Sequence, residues 1–102
     1  MHVLILEDTS DTRQVLTAIL EVAGARVTAV PTVGLALEVL DSDPPHVMLC
    51  DIGLGEEDED GYSFIRKVRA RSPDRGGAIP AVALTALAKP EDRVHSLRAG
   101  FQ

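Results

Sequence analysis

The sequence holds a single cysteine, Cys50, so no disulfide can form within the chain, which fits a reducing compartment. It has no tryptophan, and aromatic residues make up only 3% of it, so aliphatic side chains must build any core. It also lacks an excess of positive charge: 10 Lys and Arg stand against 16 Asp and Glu, for a formal net charge of -6. Nucleic acid and anionic lipid surfaces both reward clustered cations, so neither is expected as a direct partner. No apolar run approaches the roughly 20 residues of a membrane-crossing helix. The opening residues, Met1 to Asp8, meet two acids and no basic segment, unlike a secretory leader. The expected location is therefore the cytoplasm.

What the chain does have is a regular alternation of patterns. Its 102 residues suit one domain over 1–102, and 45% of them are hydrophobic, enough for a core and too many for a disordered chain. Val3 to Leu6 is a short apolar run between polar residues and reads as a strand buried on both faces. Ser10-Asp11 offers a helix cap, Val15, Leu16, Ile19, Leu20 and Ala23 then recur on one helical face, and Gly24 supplies a stop. Arg26 to Val30 reads as a second, weaker strand. Thr32 caps a helix whose face is Val33, Ala36, Leu37 and Leu40, and Pro44-Pro45 blocks its continuation. Val47 to Cys50 is a third strand. Phe64, Ile65 and Val68 mark a helix ending near Ser72-Pro73, ahead of a glycine-rich loop. Ala81 to Leu84 is a fourth strand, and Pro90, Val94, Leu97 and Gly100 outline a last short helix. Strands alternating with helices predict an α/β fold with a parallel sheet covered on both faces.

The chemistry-bearing residues stand directly after the strands. The first strand runs into Glu7-Asp8, the third into Asp51 and the fourth into Thr85. Ligands of open parallel sheets bind beyond the carboxyl ends of the strands, near the switch in strand order. Three carboxylates and one hydroxyl are thus expected at one edge. Close carboxylates repel, and a divalent cation relieves the cost; hard oxygen donors at such a site suit Mg2+. A carboxylate beside Mg2+ can attack a phosphoryl group, with a hydroxyl such as that of Thr85 donating to the transferring oxygens. Ala86, being small, leaves room for the group.

These residues resemble the response-regulator receiver domains. Glu7-Asp8 is similar to that family's acidic pair, Asp51-Ile52-Gly53 to its phosphoacceptor motif, and Asp60-Gly61-Tyr62 to the opening of its third helix. Ile79 to Ala86 is similar to its fourth strand and switch threonine, and Ala99-Gly100-Phe101 to the segment before its fifth strand. Each motif alone is weak; their joint order spans essentially the whole chain. The resemblance implies a flavodoxin-like doubly wound sheet with strand order 2-1-3-4 in this chain, against 2-1-3-4-5 in the family. It implies that Asp51 takes a phosphoryl group from a sensor histidine kinase. Asp8, Asp51 and the backbone carbonyl of Gly53 would hold Mg2+, and Glu7 would act through a metal-bound water. Thr85 would bind the phosphoryl group and move, while Gly53 and Leu87 would tune its hydrolysis. On that reading the chain is not an enzyme in the ordinary sense, but a phosphoacceptor that assists its own phosphorylation and dephosphorylation.

Two departures from the family stand out. The loop after Asp51 runs Leu54-Gly55 where the family has a proline, and it is longer and more acidic from Glu56 to Asp60. The sequence also stops at Gln102, before the family's fifth strand and helix and the lysine that pairs with the phosphoryl oxygens. Three outcomes are open: a natural chain that runs on past Gln102, which is the favoured one; self-association through the apolar edge of an unpaired fourth strand; or a degenerate receiver. Two rival readings follow: a pseudo-receiver that keeps the fold as an interaction module without phosphorylation, and a nucleotide- or flavin-binding α/β domain. The second lacks a glycine-rich turn after Leu6 or Cys50. Cys50 is expected as a buried core thiol. His2, His46 and His95 are expected at the surface, and Arg66, Lys67, Arg69 and Arg71 are expected to form a solvated basic face.

Overall fold

The computed structural model describes residues 1–51, 61–84, 98, 100 and 101. Among them the chain forms β1 (His2–Leu6), α1 (Ser10–Val22), β2 (Arg26–Val30), α2 (Val33–Ser42), β3 (Val47–Asp51), α3 (Gly61–Arg69), a 3-10 turn at Pro73–Arg75, and β4 (Ala81–Leu84). The strands make one parallel sheet in the order β2-β1-β3-β4, the doubly wound α/β arrangement expected from the sequence. The helix outlined by Pro90 to Gly100 falls largely outside the described residues.

Because β1 has a neighbour on each side and helices beyond, all of its side chains are shielded. Leu4, Ile5 and Leu6 are fully buried, which accounts for the unbroken apolar run. Leu4, Leu6, Met48 and Cys50 share a core with Ala36 and Leu40 of α2 and with Phe64, Ile65 and Val68 of α3. Fully burying a side chain as large as Phe64 contributes about 1.5–3 kcal/mol. The switch in chain direction falls between β1 and β3: after β1 the chain adds β2 on one side, then crosses over to place β3 on the other. In open parallel sheets such a switch point, beyond the carboxyl ends of the strands, is where ligands bind.

Local signals mark most boundaries. The hydroxyl of Thr32 accepts from the backbone N–H of Leu35 at 3.2 Å, capping α2 as its position suggests. Gly24, at φ 98°, ends α1 in the left-handed conformation that glycine adopts without strain. The start of α1 departs from expectation. Ser10 is already helical, the N-cap is Thr9, and no side chain caps this end, because the Thr9 hydroxyl turns instead toward Asp8 Oδ1 at 3.4 Å.

The outer face of α1 also differs. Leu16 and Leu20 are half-buried, but Val15 and Ile19 are 58% and 60% exposed, and Ala23 is exposed too. The helix packs chiefly against β2, and its apolar stripe is wider than the strip one strand can cover. His2 overturns a third expectation, for it is buried rather than at the surface. Strand β1 already begins at position 2, paired with Arg26, which draws the imidazole inside. His46 does lie exposed, as expected.

Candidate metal and phosphoacceptor site

The last rung between β1 and β2 runs from the Glu7 N–H to the Val30 carbonyl at 3.0 Å, so Glu7 is held as an extension of the strand. On the other side, Leu6 is in register with Cys50, which sets Glu7 level with Asp51. Asp8 follows where the chain leaves the sheet for α1. The three acids converge: one carboxylate oxygen from each of Glu7, Asp8 and Asp51 lies within 4.8 Å of the other two. Glu7 is buried at 5% exposure, while Asp51 is half-buried and Asp8 exposed, so the cluster opens from the sheet toward solvent.

The electrostatics follow from this placement. Burial pushes the Glu7 carboxyl above its ordinary value. The Thr9 N–H, donating to Glu7 Oε1 at 3.0 Å, opposes that shift, and the adjoining carboxylates of Asp51 and Asp8 reinforce it. An all-oxygen donor set, three acidic groups close together and an outlet to water fit a divalent cation such as Mg2+, which keeps part of its water shell. The cluster thus brings together three of the acids singled out from the sequence.

Of the other candidate residues, Gly53, Thr85, Ala86 and Leu87 lie outside the described residues, as do the acidic run Glu56 to Asp60 and His95. Register places Asp51 beside Leu84, the residue that precedes Thr85 in the chain. Cys50 is a buried core thiol: burial pushes it up to about 12, so it stays protonated near neutral pH.

The basic face expected on α3 is divided. Arg66 and Lys67 are exposed, but Arg69 turns inward, its Nε donating to the Gly100 carbonyl and its Nη1 to the Gly77 carbonyl, both at 3.0 Å. Arg71 lies beyond the end of α3 and pairs with Asp41 at 2.8 Å.

One residue at the site escaped sequence reasoning. Arg13, in the first turns of α1, donates from Nη1 to the carbonyls of Glu7 at 2.8 Å and Asp8 at 3.2 Å. The available signal was a long cationic side chain five and six residues after the acidic pair, near enough along a helix start to reach back.

Comparison with known proteins agrees with this architecture. The model of the response regulator receiver domain matches residues 3–102. An uncharacterized 14.6 kDa protein of the sodA1 3' region of Leptolyngbya boryana is 40% identical over 101 residues, covering 99% of this chain and 74% of that protein. The transcriptional regulatory protein CssR of Bacillus subtilis is 31% identical over 98 residues, covering 96% of this chain and 40% of CssR. Among solved structures, the receiver domain of the sensor histidine kinase PA1611 from Pseudomonas aeruginosa superposes with a TM-score of 0.84 at 34% identity, covering 99% of this chain and 80% of that one. That structure has a magnesium ion coordinated in its active-site cleft. The chain belongs to the response-regulator receiver domains of two-component signalling. Among the described residues, no helix is long and apolar enough to cross a membrane.

Proposed function

We propose that this receiver domain accepts a phosphoryl group on Asp51 from a phosphohistidine of a sensor histidine kinase, in a Mg2+-dependent reaction, and switches conformation as a result. The observation that supports this most is the convergence of Glu7, Asp8 and Asp51 at the carboxyl end of the sheet, each offering an oxygen within 4.8 Å of the others. Asp8 and Asp51 would hold the cation, with Glu7 behind them and the backbone of Gly53 as a further donor. Bound Mg2+ supplies the positive charge that offsets the carboxylates and the oxygens of the incoming group.

An Asp51 carboxylate oxygen forms the new bond to phosphorus as the bond from phosphorus to the imidazole nitrogen breaks. The electron pair of the broken bond stays on that nitrogen. Asp51 is suited to this role because it ends a buried strand and is half-buried, so the backbone fixes its position while one side stays open to a partner. Thr85 would donate its hydroxyl to the transferred group, with Ala86 leaving space beside it. The domain acts as a phosphoacceptor that assists its own phosphorylation and dephosphorylation, in the cytoplasm.

The test is treatment with an acyl phosphate or with beryllofluoride, with and without Mg2+. A Mg2+-dependent adduct on the wild type, lost in Asp51→Asn, is the expected result. No adduct under any metal condition would point to an interaction module without phosphorylation. Co-purified nucleotide would point to a different use of the fold.

A further inference from the structure

The two acids that follow β1 sit where the chain leaves the sheet. After the Glu7 N–H bonds to Val30, the strand ladder ends, and α1 begins only at Ser10. The carbonyls of Glu7 and Asp8 lie in this gap, between the strand ladder and the hydrogen bonds of the helix backbone. A peptide plane left without a partner lets ψ and the following φ vary, so tying its carbonyl down narrows the backbone conformations from which the acids project. Arg13 closes the gap from one turn inside α1. Its Nη1 donates to both carbonyls, and its own backbone N–H is tied to the Thr9 carbonyl at 3.0 Å. The guanidinium is a planar fork whose geometry is set once its stem is packed, and Arg13 is half-buried.

We infer that Arg13 is a positioning residue for the cation site. It clamps the peptides of Glu7 and Asp8 so that their carboxylates are aimed before a cation arrives. This inference rests on the reading of the acidic cluster as a Mg2+ site. Hydrogen bonds that orient metal ligands typically change affinity by about 10–100-fold when lost.

Two roles for Arg13 predict opposite signs, which makes the inference sharp. If Arg13 acted only through its charge, it would repel a cation, and its removal would tighten Mg2+ binding. If it acts by clamping the carbonyls, its removal loosens the acids and weakens binding. Arg13→Met keeps a long apolar stem and a good helix former while removing every donor. Arg13→Lys keeps the charge and a donor, but not the rigid fork.

The experiment is titration of the metal-free proteins with Mg2+ alone, followed through the backbone amide resonances of Asp8 and Thr9, with a thermal melt of each variant beside it. The expected result is that Arg13→Met binds Mg2+ about tenfold more weakly than wild type, with Arg13→Lys in between. Loss of affinity with an unchanged melting midpoint separates positioning from general destabilisation. If Arg13→Met fails to fold, the Lys variant decides. Binding by either folded variant that equals or exceeds wild type overturns the inference. A wild-type protein that ignores Mg2+ overturns the cation-site reading itself and this role with it, whereas wild-type binding unaffected by the substitutions overturns only the role of Arg13.

Discussion

The two ends of the sheet share one backbone polarity and treat charge in opposite ways. At the carboxyl end, Glu7, Asp8 and Asp51 crowd together, like charge against like charge. At the amino end, an ion pair and neutral hydrogen bonds stand in place of such crowding. Arg26 meets Asp43 through two contacts of 2.8 and 3.4 Å, buried His2 bonds to the Thr28 hydroxyl at 2.8 Å, and the His2 N–H donates to His46 Nδ1 at 2.9 Å. One buried atom there, His2 Nδ1, lacks a hydrogen bond and lies 3.9 Å from Asp43 Oδ1. The amino end is built for stability. The carboxyl end gives stability up, as sites prepared for a ligand commonly do.

The largest effect should come from supplying a cation to the acidic end. A ligand that binds only the folded state adds RT ln(1 + [L]/Kd), about 2.7 kcal/mol at a hundredfold excess over Kd. Thermal melts of the metal-free protein at neutral pH should therefore rise by several degrees when Mg2+ is added, and EDTA should reverse the gain. Asp51→Asn should lose most of this response. An equal response in that variant would mean that the cation acts elsewhere, and the contrast between the ends would fail.

A smaller effect should follow from relieving the crowding without metal. Glu7→Gln keeps the shape and the capacity to accept from Thr9 while removing one of the like charges. In EDTA at neutral pH it should melt a few degrees above wild type, or about 1 kcal/mol for a domain of this size. The sign with pH follows from the same shift. The Glu7 carboxyl is raised in the folded state, chiefly by burial and then by its acidic neighbours. Its favourable contribution is complete below the ordinary carboxylate value and is lost as pH climbs through the raised one. The advantage of Glu7→Gln should thus be absent in acid and appear toward neutrality. Mg2+ should narrow it, because the cation stabilises the charged form of the wild type. An advantage that stays constant with pH would remove titration of the acidic cluster as its cause.

The contrast between the ends also explains what was legible in the sequence. Glu7-Asp8 and Asp51 were readable because each directly follows an apolar run, and a parallel sheet brings such strand ends to one edge. The fold was readable because Val3 to Leu6 and Val47 to Cys50 are too short and too apolar for anything but buried strands. The amino end was not readable. Burial of His2 depends on β1 starting at position 2 and on partners 26 and 44 residues away in sequence. The outer face of α1 misled for a related reason: periodicity shows that Val15 and Ile19 share a stripe with Leu16 and Leu20, but not how much of it β2 can cover. Arg13 was passed over because a cation on a helix reads by default as solvated, and only the geometry shows its reach to the Glu7 and Asp8 carbonyls.

The smallest effect is expected where the contacts look strongest. The Arg26–Asp43 pair has near bidentate geometry, yet its side chains are 62% and 53% exposed. Arg26 holds the Asp43 carboxyl below its ordinary value, but water and salt screen so open a pair, and the two long side chains must be ordered to form it. In Arg26→Ala the backbone bond from the N–H of residue 26 to the Met1 carbonyl, 2.8 Å, is kept, and so is the pairing of β2 with β1. Asp43 returns to water, where its charge is well solvated. The melting midpoint should stay within replicate scatter, while the Asp43 carboxyl, followed by NMR titration, should move back up toward its ordinary value. A fall in the midpoint as large as the gain expected for Glu7→Gln would mean that the ion pair, rather than the buried His2–Thr28 bond and the strand ladder, holds the amino end together.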